Sequence, residues 1–146
     1  MQDETLFSRA EGNFRYALKN YLAFSGDELE LNFIGYALQQ AAELAIKHFM
    51  EINGVKYEKT HQIEDLLDSC ERQNIPVKYT EEFYGFAPAV SKWESKTRYI
   101  KNYVLAKKQL EKGMGLIKEF FLMNGSAEKD LMPKTSSAKT DEIKAF

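Results

Sequence analysis

LELNFIGYALQQAAELAIKHFMEIN, residues Leu29 to Asn53, carries apolar side chains at Ile34, Ala37, Leu38, Ala41, Ala45, Phe49 and Ile52. Recurrence every three or four positions puts these side chains on one face of a helix, and such a face must be buried. Leu44 and Ile46 widen the stripe, while Gln39, Gln40, Glu43 and Lys47 leave a polar side on which Glu43 and Lys47 stand in the favourable i,i+4 order. A helix of this length runs about 36 Å at 1.5 Å per residue, enough to be the central member of a bundle. Other helices must cover it.

Working outward, Leu6, Phe7, Ala10, Phe14, Ala17, Leu18, Tyr21 and Leu22 follow the same spacing, and Ser25-Gly26-Asp27 stops that first helix. A short return to the central helix makes the pair antiparallel. Asn53-Gly54 ends the central helix, because glycine accepts the left-handed conformation found beyond many helix ends. Thr60 is placed to cap a third helix over Ile63, Leu66, Leu67 and Cys70, which stops before Asn74-Ile75-Pro76. Thr80 with Glu81 and Glu82 opens a fourth, its acids at the positive end of the helix dipole. Pro88 either kinks one helix running to about Ser95 or opens a second piece, and Trp93 near its end is expected to anchor in the core. Tyr103, Lys107, Leu110, Met114, Ile117 and Phe121 make the stripe of a last long helix, closed by Asn124-Gly125. Gly113 and Gly115 weaken it unless they admit a close helix contact. The expected fold is all-α, an up-and-down bundle of four to five helices over residues 1–124. Residues 125–146, polar and with cancelling charges, read as a flexible tail.

At 146 residues, with 44% hydrophobic and 13% aromatic side chains, the chain suits one domain with a core of its own. It has no apolar run of membrane-span or signal-peptide length, so a cytoplasmic location without membrane association is expected. The single cysteine, Cys70, cannot form an internal disulfide. His48, His61 and Cys70 have no paired ligand spacing, so neither a metal nor a cofactor is expected, and His48 on a mostly apolar helix is read as packed. The net charge of −2 is unevenly spread. Residues 1–30 hold six acids against three bases, and residues 92–118 hold eight bases against two acids. Such separation steers an anionic ligand or favours antiparallel pairing of subunits.

One segment gathers cations and aromatics: Lys96-Thr97-Arg98-Tyr99-Ile100-Lys101-Asn102-Tyr103. A guanidinium and lysines can hold phosphate, and tyrosines can stack a base, which makes Lys96, Arg98, Tyr99, Lys101 and Tyr103 the candidate nucleotide- or phosphate-binding residues. No P-loop, dinucleotide fingerprint or Ser-His-Asp order points to another chemistry.

The run from Tyr36 to Lys47, followed by Gly54, by His61 ahead of Ile63, Leu66 and Leu67, and by Thr97-Arg98-Tyr99, resembles the HEPN domain family over roughly Phe7 to Phe121. The resemblance implies a helical, nucleotide- or RNA-associated domain that commonly pairs as a homodimer, with Arg98 in a cleft near the dimer axis and Gln40, Glu43, Lys47 and His61 as supporting residues. In the RNA-cleaving members a histidine follows the arginine; the corresponding positions here are Tyr103, Val104 and Leu105. An imidazole of near-neutral pKa is the usual proton carrier, and general acid–base catalysis is worth about 10²- to 10⁴-fold, so cleavage by that route is not expected. Arg98-Tyr99 is instead similar to the branch associated with small nucleotidyltransferases in toxin–antitoxin-like pairs, although Ile100 replaces the proline that often follows. The expected function is a non-catalytic nucleotide- or RNA-binding or partner module. The alternatives are an RNase toxin with an atypical proton carrier and a structural or regulatory bundle in which Arg98 pairs with Glu43 or another carboxylate.

Overall fold

The computed structural model describes residues 5–56, 59–60 and 62–133. Among the described residues six α-helices follow one another: α1 (Leu6–Leu22), α2 (Leu29–Ile52), α3 (Ile63–Arg72), α4 (Glu81–Val90), α5 (Trp93–Tyr99) and α6 (Lys107–Met123), then a 3₁₀ turn at Glu128–Leu131. Among the described residues there is no strand. Helix α1 begins with a reciprocal cap: Thr5 Oγ1 accepts from the Ser8 N–H and Ser8 Oγ from the Thr5 N–H, both at 3.0 Å.

Ring contacts set the directions of the bundle. Phe7, at the start of α1, lies 5.6 Å from Phe49 near the end of α2, so the two helices are antiparallel. Phe7 also lies 5.6 Å from Phe121, while Tyr21 donates to Glu111, which makes α6 antiparallel to α1. Phe83 of α4 stacks on Phe120 at 4.5 Å. At the centre, Ile34, Ala37, Leu38, Ala41, Ala45 and Ile46 of α2 are buried, with Ala10, Phe14, Ala17 and Leu18 of α1. His48 is packed between aromatic rings, 5.4 Å from Phe7 and 5.3 Å from Phe49, and burial lowers its pKa although Glu51 opposes the shift.

Several expectations are corrected. Ile52 ends the α2 stripe in solvent, because it stands in the last turn, beyond the helices that cover the rest. Thr60 does not cap α3; its hydroxyl accepts from the Gln62 N–H, and the free N–H of Ile63 is taken by Ser91 Oγ at 2.8 Å. Pro88 lies inside α4, and the chain breaks after it, at Ser91-Lys92. Helix α6 starts at Lys107 rather than Tyr103, because its N-cap Ala106 is extended, with ψ 132°, and the Tyr103 carbonyl that would accept from Lys107 is taken by Asn32. The segment expected as a tail begins packed: Leu131 is fully buried, Arg15 Nη1 donates to the Asp130 carbonyl at 2.6 Å, and Ser126 Oγ donates to Glu11 at 2.7 Å. Residues 134–146 lie outside the described residues, as does His61.

Candidate anion site on the α5 segment

Helix α5 exists because α4 stops. Proline has no N–H, so the α4 ladder loses a bond at Pro88, and the chain turns three residues later, at Ser91. The groups exposed by that break are received by one side chain of α2. Gln39 Nε2 donates to the Ser91 carbonyl at 3.0 Å, and Gln39 Oε1 accepts from the Glu94 N–H at 2.9 Å. The same Nε2 lies 3.1 Å from Glu43 Oε1. Ser91 ties the break to α3 as well, its hydroxyl donating to Glu64 at 2.9 Å.

Below this joint Trp93 is buried between two glycines. A β-carbon on Gly113 of α6 would lie 2.5 Å from Trp93 Cη2, and one on Gly35 of α2 would lie 2.5 Å from Leu105 and 3.4 Å from Trp93. Gly113 therefore requires glycine for the close approach of the rigid indole, whereas at Gly35 the nearest atom is a terminal methyl of Leu105. Gly115 meets nothing, so of the two glycines in α6 only Gly113 admits a neighbour. The loop after α5 is held from the same side: Asn32 Nδ2 donates to the Tyr103 carbonyl and Asn32 Oδ1 accepts from the Leu105 N–H, each at 2.8 Å. Asn32 and Gln39 are both buried. Thus α2 fixes the segment 91–105 at its start and at its end.

On this base the cations face outward. The Arg98 side chain is 61% exposed and pairs with Glu94, one turn back on α5. Hydrogen bonding to Tyr99 and the charge of Glu94 raise its pKa further, so the guanidinium is charged at any working pH. Tyr99 is 75% exposed with its ring 5.9 Å from the guanidinium, and Lys101 is exposed in the following turn. Lys96 and Arg98 also stand in the last turn of α5, where positive charge complements the helix dipole.

Not every expected residue joins this group. Tyr103 is half-buried against the core, with Lys96 Nζ 5.8 Å from its ring centroid, and burial raises its phenol pKa; it is a support for the lysine rather than an open stacking platform. Glu43 and Lys47 pair with each other at 3.9 Å further along α2, and the carboxylate beside Arg98 is Glu94. Gln40 is half-buried, and the glutamine that reaches α5 is its neighbour Gln39. Asn32, Gly35 and Gln39 were the residues missed. Their signal was a second stripe, with Asn32, Tyr36, Gln39 and Glu43 recurring at helical spacing beside the apolar one. Among the described residues no three His, Cys, Asp or Glu side chains gather as a metal site, and no helix is long and apolar enough to cross a membrane.

Comparison with protein families matches residues 4–125 to the model described as HEPN domain. Comparison with curated proteins and with solved structures gave no match.

Proposed function

The chain belongs to the HEPN domain family, a nucleotide- and RNA-associated class of helical module, and from that premise we propose that it binds the phosphate of a nucleotide or RNA through Arg98, with Lys96 and Lys101 beside it, and does not cleave it. The observation that carries this reading is the contrast between Arg98 and its base. The guanidinium is open to solvent, its partner Glu94 belongs to the same short helix, and exposed i,i+4 pairs of this kind are weak enough for a phosphate to displace. A guanidinium grips phosphate through two parallel donors, whereas a lysine offers a point charge. An Arg98 that served the fold would have its carboxylate in the interior; Glu43 is there, and Arg98 is not paired with it.

The absence of catalysis rests on positions 103–105, which are Tyr, Val and Leu and carry no imidazole. The reading includes a homodimer and action beside a small nucleotidyltransferase, as in a toxin–antitoxin-like pair. Support for the homodimer is the exposed Leu29 and Phe33 on α2, with Tyr16 across a shallow groove of about 170 Å³. Exposed apolar side chains grouped in this way mark interaction surfaces.

The test is a titration of nucleotides and short RNA at rising salt, with Arg98→Ala and Lys107→Ala compared. Lys107 serves as the control because its ammonium lies 5.9 Å and 5.7 Å over the rings of Tyr21 and Phe24. Binding should weaken as salt rises, through counterion release, and Arg98→Ala should cost more affinity than Lys107→Ala with the melting temperature nearly unchanged. A parent protein that binds none of these ligands, or an Arg98→Ala that melts far lower, contradicts the reading.

A further inference from the structure

With Tyr103 turned against the core, the open aromatic surface beside Arg98 has to come from elsewhere, and α2 supplies it. Tyr36 follows Asn32 by four residues and precedes Gln39 by three, so it leaves α2 on the face whose two flanking side chains are hydrogen-bonded to α5 and to the loop after it. Asn32 and Gln39 are covered by that segment, but Tyr36 is 42% exposed, so its ring emerges at the segment's edge. Gln39, three residues on, holds the N–H of Glu94, the partner of Arg98, so Tyr36 stands one helical turn from the joint that carries the guanidinium. Arg98 also has the ring of Tyr99 at 5.9 Å, and Tyr99 is 75% exposed. Two open phenol rings and a charged guanidinium thus share one edge of the molecule.

We propose that Tyr36 and Tyr99, together with Arg98, form a site for an unpaired nucleobase and the phosphate attached to it, the rings stacking the base and the guanidinium holding the phosphate. The site rests on the anion-binding reading of Arg98 and narrows its ligand to a nucleotide or a single-stranded RNA. In a duplex the faces of the bases are already stacked on one another, so only a free base offers its face to a tyrosine.

The experiment compares four probes on the full chain: a mononucleotide, a short single-stranded RNA, the same RNA paired with its complement, and tripolyphosphate, which has charge and no base. Each is titrated against the parent, Tyr36→Ala, Tyr36→Phe and Arg98→Ala. Tyr36→Ala should weaken the single strand and the mononucleotide about 5- to 150-fold, the range of one base–aromatic stack. It should leave tripolyphosphate unchanged, which also shows that the variant is folded, and Tyr36→Phe should keep the parent affinity. Arg98→Ala should weaken all the probes that bind. A mononucleotide matching the strand identifies a single-base ligand, and a tighter strand identifies RNA; both agree with the site. Tripolyphosphate binding that depends on Arg98, with no loss of strand binding in Tyr36→Ala or with duplex bound as tightly as single strand, overturns the stacking site alone. A parent that binds none of the probes overturns the anion-binding reading with it.

Discussion

Helix α2 meets α1 through one kind of surface and α5 through another. Toward α1 it presents Ile34, Leu38, Ala41 and Ala45, all buried, a seam that begins where Ile34 and Phe33 share a groove with Tyr16 and ends where Phe49 meets Phe7. The small residues Ala10 and Ala17 of α1, also buried, let the two backbones come close. Toward α5 and its loop it presents Asn32, Gly35 and Gln39, which meet main-chain atoms through two carboxamides and leave room for Trp93 and Leu105. The seam is non-directional and supplies stability. Hydrogen bonds contribute less net energy, about 0.5 to 1.5 kcal/mol each, but they require their partners at defined positions, so the second surface supplies placement. An exposed Arg98 on a helix of seven residues has a defined position because of that second surface.

The seam breaks most severely with a charge. Ala41→Glu should destabilise by about 3 to 5 kcal/mol in chemical denaturation, because an unpaired carboxylate between close helices has no route to water. A variant within about 1 kcal/mol of the parent would mean the seam is looser than described. The α5 side is probed next by its glycines. Gly113→Ala should cost about 1 to 3 kcal/mol, because the new methyl meets the rigid indole of Trp93 at 2.5 Å. Gly115→Ala, two residues on and facing open space, should gain up to about 1 kcal/mol from helix propensity. Equal effects at the two positions would contradict the placement of Trp93.

The sequence foretold most of the bundle because apolar periodicity reports which face a helix buries, and α1, α2 and α6 carry long stripes. It did worse where polar atoms do the packing. Gln39 and Glu43 look like a solvated helix face, yet both are buried, because the partners of Gln39 are the Ser91 carbonyl and the Glu94 N–H, main-chain groups that no side-chain pattern records. Tyr103 stands four residues before Lys107 and so extends the α6 stripe on paper; the extended Ala106 and the grip of Asn32 on the Tyr103 carbonyl keep it out of the helix. Ser126 to Leu131 read as tail by composition, but two local anchors, Leu131 in the core and Lys118 on Glu128 at 2.9 Å, are enough to dock it. Of the proposed site, Arg98 and Tyr99 were legible as charge and ring in one short run. Tyr36 was not, since its relation to Arg98 arises only from the packing of α5 on α2.

The division of labour within α2 is tested most directly by amide hydrogen exchange on Gln39→Ala. Loss of the carboxamide strands the Ser91 carbonyl and the Glu94 N–H, so exchange should accelerate across α5 and its loop, residues 93–105, while the amides of α1 and of the α2 seam keep their protection. Acceleration spread evenly over the chain, or an α5 that exchanges as slowly as in the parent, would show that Gln39 does not position the Arg98 segment.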